Sequence, residues 1–362
     1  HCGQLREFQN PPGALAPGTT LADRYMVGRC LGQGGFGITY LAWEEQLTRP
    51  VAIKEFFPRE ISYRDNDHTT VQPITQYKDK FSDILERFLL ESRTVATFHQ
   101  PNIVPIWFSF EANSTAYFVM PYHRGQTLED WLFENQDRVT EADLVNIFVP
   151  LIHGLEAVHQ AGILHRDIKP RNIYISEDGT PLLLDFGSAR NVMSESFSVM
   201  MTHGYAPLEQ YFSQQSSKEG RQGPWTDIYA VAATLYACFK CEFEGPHLVP
   251  IQRAPERVEG DQTQHIREVA RIKVSSPVAE AIMMGLRVNP KERPQTAKEF
   301  RKMIEPELVA TTLPPPPDQK LELRCIAGEH ENLAVPLSAT PIVLGWDPNA
   351  ANLVCSESVI SS

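Results

Sequence analysis

The sequence predicts an α+β fold with two lobes, in which a β-rich half precedes an α-rich half. Three segments near the start have the composition of consecutive strands with short connections: 25–32, 37–43 and 51–57. After residue 127 the pattern becomes helical, as in 141–162, where apolar residues recur at spacings of three and four before a terminal Gly162. A β half followed by an α half favours a cleft between the two lobes.

The composition is that of a globular chain. Its 362 residues can form two or three domains with their own cores, and 42% apolar and 22% charged residues are ordinary values for a soluble protein. The net charge of −12 argues against nucleic acid or an anionic membrane as the main partner. The sequence contains no run of about 18 apolar residues, so we expect no membrane segment in this chain.

The six cysteines are too sparse for a disulfide scaffold, so we expect a reducing, cytoplasmic location. Cys238 and Cys241 form a CxxC pair. A metal or redox role stays open for this pair, but zinc needs four ligands and no second pair lies at a suitable spacing, which favours two ordinary thiols on a helix. The chain starts with HCGQLREF and ends with ESVISS, and we interpret both ends as cut points of a longer protein.

Two proline-rich segments, 10–18 and 313–318, indicate where the chain divides. We predict four parts: a lead over 1–20, a large body over 21–308, a linker over 309–320 and a C-terminal piece over 321–362.

One carboxylate, Asp167, lies among cations in the segment HRDIKPRN, residues 165–172. Strand-like segments follow at 173–175 and 182–184, and the Asp178–Gly179 pair between them predicts a two-residue hairpin turn. With that turn, Asn172 faces Asp185 across the hairpin. An amide oxygen and a carboxylate side by side at the end of this hairpin would suit a hard cation such as Mg²⁺.

The segment LGQGGFGITY holds Gly32, Gly34 and Gly37 in a GxGxxG pattern. A strand-like segment follows these glycines, whereas a dinucleotide-binding loop would open a helix. A glycine-rich hairpin tip can bring backbone N–H groups close to phosphate, although a plain flexible turn is also open. On the neighbouring strand, Lys54 shares one face with Ala52 and could reach the same phosphate.

A carboxylate also stands in an apolar helical stripe. The stripe consists of Ile84, Phe88, Glu91, Val95 and Phe98. A buried carboxylate needs a cation, and Lys54 is the candidate partner for Glu91. Alternatively, Glu91 lies at the edge of the stripe and is solvated.

Taken together, these motifs resemble the eukaryotic-type protein kinase family in its bacterial Ser/Thr branch, from about residue 21 to 308. The resemblance implies the bilobal protein kinase fold, with a β-rich N-lobe and an α-rich C-lobe. The motifs stand in the family's order: the glycine-rich loop 32–37, VAIK at 51–54, Glu91, HRDIKPRN at 165–172, DFG at 185–187, GYAPLEQ at 204–210, WTDIYA with Asp227, and NPKERP with Arg293.

The resemblance implies catalytic roles for four residues. Lys54 would hold the ATP phosphates and pair with Glu91, Asp167 would orient and deprotonate the substrate hydroxyl, and Lys169 would steady the transferred group. Asn172 and Asp185 would bind Mg²⁺, with Mn²⁺ as a possible substitute. Glu209 and Arg293 would form the family's buried ion pair.

The resemblance also implies the nucleotide site, with Met120 as the gatekeeper. The implied ATP-binding residues are Leu31, Gly32, Gln33, Gly34, Gly35, Phe36, Gly37, Thr39, Ala52, Lys54, Met120 and Tyr122.

Arg166, directly before the implied base, suggests activation by a phosphorylated loop whose added charge would pair with this arginine. The candidates are Ser194, Ser196 and Ser198, whereas Thr202 would contact Asp167.

The chain departs from the family pattern at several positions without losing a catalytic group. Thr39 replaces the usual Val, Pro121 replaces the common hinge acid, and Leu208 takes a Pro position. About 24 additional residues, 57–80, separate the Lys54 strand from the Glu91 helix. This insert could dock a regulator, but a disordered surface loop is favoured.

The piece at 321–362 resembles the start of a forkhead-associated domain, which would add a partial β-sandwich. Such domains bind phosphothreonine through an arginine, and here Trp346 stands at that position while Ser361 could match the family's serine. Phosphopeptide partners are therefore doubtful, and a partly ordered tail is an equal alternative.

The resulting interpretation is a protein Ser/Thr kinase that uses ATP and Mg²⁺ and acts on Ser/Thr hydroxyls of proteins. A pseudokinase scaffold is disfavoured because Lys54, Asp167, Asn172 and Asp185 are all present. A small-molecule phosphotransferase is disfavoured because such enzymes generally lack segments like GYAPLEQ and WTDIYA.

Overall fold

The computed structural model describes the chain over several ranges. Backbone and side chains are described for 10–96, 100–186, 204–211 and 222–305, except for the side chains of Glu91 and Thr94, and the backbone alone for 322–324, 334–336, 344–345 and 353–354. The chain divides into two compact units, His1–Pro306 and Glu307–Ser362. Among the described residues, none of the helices combines the length and apolar character that a bilayer crossing requires.

The first lobe of unit 1 is built on an antiparallel sheet. Its elements are β1 (Thr20–Leu21), β2 (Tyr25–Gln33), β3 (Gly37–Glu44), β4 (Arg49–Phe56), β5 (Ser62–Arg64), β6 (Val71–Pro73), a 3₁₀ turn (Thr75–Tyr77), α1 (Lys78–Val95), β7 (Phe108–Ala112) and β8 (Thr115–Pro121). The sheet has the order β1-β2-β3-β4-β8-β7, so the three predicted strands are confirmed as β2, β3 and β4. Helix α1 packs on this sheet through aromatic rings, with Phe88 stacked on Phe118 at 3.8 Å between centroids.

The insert at 57–80 is ordered, so the disordered-loop interpretation is wrong. Strands β5 and β6 pair as a hairpin, and the side chains of Ile61 and Val71 are fully buried in the lobe. Arg64 fixes the insert to the lobe. Both Nη atoms of its buried guanidinium donate to Glu55, at 2.7 and 3.1 Å. Both side chains are buried, and a buried carboxylate of this kind needs such a partner.

The segment before β1 also belongs to this lobe, although the sequence predicts a separate lead. Leu15 is completely buried, and its backbone N–H donates to the hydroxyl of Tyr40 at 3.0 Å. The Asn10 side chain donates to the carbonyl of Leu15 and accepts from the backbone N–H of Cys30. Residues 10–15 therefore belong to the first lobe.

The second lobe is mainly helical, as predicted. Its elements are β9 (Gly125–Thr127), α2 (Leu128–Asn135), α3 (Glu141–Gln160), a 3₁₀ turn (Pro170–Asn172), β10 (Ile173–Ser176), β11 (Pro181–Leu183), α4 (Leu208–Tyr211), α5 (Pro224–Lys240), β12 (Phe243–Glu244), β13 (His247–Leu248), α6 (Ala254–Gly260), α7 (Ile266–Val269), α8 (Ser276–Gly285), a 3₁₀ turn (Pro290–Glu292) and α9 (Ala297–Ile304). Helix α3 starts at a capping box of Thr140 and Asp143 and is followed by Gly162 at φ +75°. Helix α5 is apolar and buried over most of its length, so it forms the centre of this lobe.

The second unit is described only as short strand pairs. Strands β14 (Glu322–Arg324) and β15 (Ala334–Pro336) pair antiparallel, and β16 (Leu344–Gly345) and β17 (Leu353–Val354) pair parallel. The linker 309–320, Trp346 and Ser361 lie outside the described residues. The partial β-sandwich therefore stays a prediction.

The ion pair between Arg64 and Glu55 generates a stability prediction. Arg64→Met should lower the free energy of unfolding by about 3–5 kcal/mol, because it leaves a carboxylate buried without its cation. The double variant Arg64→Met/Glu55→Gln should recover most of this loss, since the uncompensated charge is then gone. Urea unfolding followed by fluorescence measures both variants, and a single variant within about 1 kcal/mol of the parent would contradict the buried pairing.

Candidate active site

A cleft of about 800 Å³ separates the two lobes of unit 1. All residues of the predicted nucleotide set line it: Leu31, Gly32, Gln33, Gly34, Gly35, Phe36, Gly37, Thr39, Ala52, Lys54, Met120 and Tyr122. The opposite wall includes Lys169, Asn172 and Asp185 from the second lobe. Residues that are far apart in the sequence therefore face one groove.

The glycine-rich loop is a tight hairpin tip between β2 and β3. The backbone N–H of Gly34 donates to the carbonyl of Gly37 at 2.9 Å and closes the tip. Gly37 is required by packing, because a Cβ there would lie 2.3 Å from the carbonyl oxygen of Glu55. At Gly32 a Cβ would meet nothing within 4 Å, so this glycine leaves open space beside the cleft.

Lys54 reaches across the cleft to the second lobe. Its Nζ lies 2.7 Å from Oδ1 of Asp185, which follows β11 and has φ +57°. This left-handed conformation is uncommon for a residue other than glycine and turns the chain directly after the strand. Glu91 lies within α1, but its side chain is outside the described residues, so its pairing with Lys54 stays a prediction.

The predicted register of the β10–β11 hairpin is wrong by one residue. Ile173 pairs with Leu183, and the N–H of Leu184 donates to the carbonyl of Asn172, so Asn172 lies opposite Leu184. The reason is a three-residue turn, 177–179, with Gly179 at φ +82°, in place of the expected two-residue turn. Asn172 and Asp185 nevertheless both line the cleft, because the chain leaves the strand direction at Asp185.

Asp167 is nearly buried and contacts two side chains of its own loop. The Nζ of Lys169 lies 3.1 Å from its Oδ1. The amide nitrogen of Asn172 donates to its Oδ2 and, at 2.7 Å, to its backbone carbonyl. The Asn172 amide is therefore oriented with its nitrogen toward Asp167, which leaves its oxygen available as a metal ligand.

Asp227, at the start of α5, fixes the loop that carries Asp167. Its carboxylate accepts from the backbone N–H groups of His165 and Arg166, both at 2.8 Å, and contacts the ring of His159 at 2.8 Å. Burial raises the pKa of Asp227, but the hydrogen bond from His159 and the surrounding donors outweigh this and lower it below its ordinary value. Arg166 has φ +67°, a conformation that this double contact holds in place.

Two positioning groups of this loop are not evident from the sequence. His159 lies in the last turn of α3, and the sequence marks it only as a histidine on the buried side of an amphipathic helix. Glu129 of α2 accepts from Arg171 at 2.6 Å and from the N–H of Leu248 at 3.1 Å. These contacts join α2, the segment 165–172 and β13, which are distant in the sequence.

Glu209 and Arg293 form a completely buried ion pair. Two parallel contacts of 2.7 and 3.2 Å join the guanidinium to the carboxylate, and Thr226 also donates to Glu209 at 2.9 Å. Arg293 further donates to the backbone carbonyls of Arg287 and Val288. The pair thus ties the segment 204–211 to the turn between α8 and α9. The predicted loop residues Ser194, Ser196, Ser198 and Thr202 lie outside the described residues.

The CxxC pair has the features of two ordinary buried thiols. Cys238 lies inside α5 and Cys241 caps its end in a left-handed conformation, and burial raises the pKa of both thiols. Within the ranges described here, no group of three or more His, Cys, Asp or Glu side chains is arranged to hold a metal ion.

Comparison with known proteins places these features in a family. The protein kinase domain model matches residues 25–304. The serine/threonine-protein kinase PknB of Mycobacterium tuberculosis is 30% identical over 288 residues, which cover 78% of this chain and 42% of that protein. The serine/threonine-protein kinase PknD of Chlamydia pneumoniae is 27% identical over 334 residues, which cover 81% of this chain and 33% of that protein.

Among solved structures, the apo form of PpkA-294 is similar to this chain. The TM-score is 0.71 at 31% identity, and the match covers 81% of this chain and all of that chain. The chain spans about a third to two fifths of the length of the two curated relatives named above.

His165 generates a pH prediction. Its Nε2 donates to the carbonyl of Leu184 at 2.9 Å while Nδ1 accepts from the N–H of Asp167, and burial lowers the pKa of the ring below 6.5. Because the folded state keeps the ring neutral, its contribution to stability is complete above pH 6.5 and is lost as the unfolded chain takes up a proton below that pH.

A His165→Gln variant keeps a donor but does not titrate. Its unfolding free energy should fall less steeply between about pH 7 and pH 5 than that of the parent, by up to about 1.4 kcal/mol per pH unit. Urea titrations at several pH values give both slopes. Equal slopes would show that the buried neutral ring is not part of the folded state.

Proposed function

Because this chain belongs to the protein kinase family, with serine/threonine-protein kinases among its relatives, we propose that it transfers the γ-phosphoryl group of ATP to Ser and Thr hydroxyls of proteins, with Mg²⁺ as the metal ion. The observation that carries this proposal is the convergence of Lys54, Lys169, Asn172 and Asp185 on one cleft. Phosphoryl transfer needs little covalent help and much electrostatic positioning, which such a set supplies.

Asp167 is the proposed base that orients the substrate hydroxyl and accepts its proton. Its carboxylate is held by Asn172 and lies 3.1 Å from the ammonium of Lys169. A cation beside the carboxylate favours its charged form, which can accept a proton. Lys169 is then also placed to stabilise charge on the group being transferred.

The residues of the cleft fit a metal–nucleotide. The open space beside Gly32 lets a phosphate approach the backbone of the loop, and Lys54 adds a positive charge on the same side. Asp185 and the amide oxygen of Asn172 would hold Mg²⁺, which takes one or two protein oxygens and completes its shell with phosphate and water. Mn²⁺ would suit the same oxygen ligands.

Regulation by the loop 188–202 is also proposed. Arg166 adjoins Asp167, and its Nε donates to the side-chain oxygen of Gln222 at 2.9 Å. A phosphate on Ser194, Ser196 or Ser198 would offer charge-assisted bonds to such an arginine. A cytoplasmic location and phosphopeptide partners of a complete forkhead-associated domain remain further proposals for the whole protein.

The proposed base gives the sharpest test. Asp167→Asn should lower phosphate transfer to a generic Ser/Thr protein substrate at least about 100-fold, because the side chain no longer accepts a proton. Transfer is measured with labelled ATP, and nucleotide binding is measured in parallel. The variant should still bind nucleotide, which separates loss of chemistry from loss of the fold.

The matched control is Asp137→Asn, at an exposed acidic residue outside the cleft, which should transfer phosphate like the parent. Chelation with EDTA should stop transfer, and added Mg²⁺ should restore it. Near-normal transfer by Asp167→Asn, or transfer that EDTA does not affect, would contradict the proposed mechanism.

Loop phosphorylation has its own test. After incubation with Mg-ATP, mass spectrometry should find phosphate within residues 188–202, while the Asp167→Asn chain incubated in the same way should carry none. An active parent without phosphate in that range would rule out autophosphorylation of this loop as the activating step.

A further inference from the structure

The tip of the glycine-rich loop is held from outside the cleft by the insert. The backbone N–H of Phe57 donates to the carbonyl of Phe36 at 2.9 Å, and that of Arg59 donates to the carbonyl of Gly35 at 3.3 Å. The Phe36 side chain is also buried in the core of the lobe. Two successive carbonyls of the tip are thereby bonded to N–H groups of residues that do not line the cleft.

The donor segment is itself immobilised. Phe57 is buried, and its ring lies against Gly13 on one side and 4.8 Å from the Arg64 guanidinium. Arg64 donates to the carbonyls of Gly13 and Thr69, each at 2.7 Å, in addition to its pairing with Glu55. The position of Phe57 is therefore set by the N-terminal segment, by the insert and by β4 together.

The N-terminal segment also contacts the loop directly. The carbonyl of Pro12 accepts from the side chain of Gln33, at the end of β2, at 3.3 Å and from the Arg59 guanidinium at 3.1 Å. Pro12 thus joins the strand that leads into the loop to the segment that holds the tip.

We propose that Phe57 and Arg59 of the insert are positioning residues of the nucleotide site: supported by residues 10–15, they hold the glycine-rich loop in its phosphate-binding shape before nucleotide arrives. This inference rests on the proposed ATP-binding function. A glycine-rich tip loses more conformational freedom on ordering than other sequences do, so a free tip would weaken nucleotide binding. A tip that is already held avoids that loss, which is preorganisation in the ordinary sense.

Arg59→Pro tests the proposal at a single N–H group. The N–H of Ile61 donates to the carbonyl of Pro58, so Arg59 and Glu60 are the central residues of a turn, and neither has a positive φ. These features indicate a type I turn, in which proline is favoured at the first central position. Proline at 59 therefore suits the φ of the turn, but it removes the donor to Gly35, places its Cδ against that carbonyl and removes the side-chain bond to Pro12.

Arg59→Pro should raise the dissociation constant of Mg-ADP about five-fold or more, the effect of one typical hydrogen bond. It should also lower the unfolding midpoint, because proline is destabilising where the backbone N–H was hydrogen-bonded, so binding is measured at a temperature well below both midpoints. Arg59→Ala, which keeps the N–H, should show a smaller increase. Glu60→Ala, at the exposed neighbouring position of the same turn, is the matched control and should bind like the parent. Titration calorimetry measures binding, and thermal unfolding measures stability.

The possible outcomes separate the two proposals. A parent chain that binds no Mg-nucleotide overturns the proposed function itself. A parent that binds, with Arg59→Pro binding equally well, overturns the positioning role alone. Weaker binding by the fully folded Arg59→Pro chain, with Glu60→Ala binding like the parent, supports the positioning role, because a merely structural contact would alter stability and leave nucleotide affinity unchanged.

Discussion

The active-site half of the cleft depends on one buried carboxylate. The backbone N–H groups of His165 and Arg166 lie outside any helix or strand of the described chain, and Asp227 accepts from both. Each side of this contact requires the other, since a buried carboxylate needs donors and buried N–H groups need acceptors. Because Asp227 belongs to the buried helix α5, the position of Asp167 is set by the core of the second lobe.

The first lobe uses a buried carboxylate in a comparable way. Lys54 and Glu55 are neighbours on β4, and the alternation of a strand sends the first side chain to the cleft and the second into the lobe. There Glu55 accepts from Tyr40, Tyr117 and Arg64, so three segments meet at one group. Burial raises the pKa of both tyrosines far above the ordinary value, so they stay neutral donors.

The two buried carboxylates, Asp227 and Glu55, support a cleft that is assembled from the ends of secondary-structure elements. Asp185 follows a strand in a left-handed conformation, Asn172 ends a 3₁₀ turn, and the glycine-rich loop is a hairpin tip. Residues at the ends of elements can direct their side chains toward the cleft, but the hydrogen bonds of a helix or strand hold them only weakly. The buried contacts behind them supply the rigidity that the proposed electrostatic positioning of a phosphoryl group would require.

Features that depend on neighbouring residues could be predicted from the sequence: strands β2 to β4, the start and end of α3, and the kinds of side chain that a phosphate site needs. It also predicted the Glu209–Arg293 pair, through motif resemblance. It did not determine the β10–β11 register, because an Asp-Gly turn suits both two-residue and three-residue hairpins. Nor did it reveal that the insert is ordered, or that residues 10–20 belong to the first lobe. Those outcomes depend on Arg64 meeting Glu55 and on Leu15 meeting Tyr40, and contacts between distant buried groups are decided only when the whole chain packs.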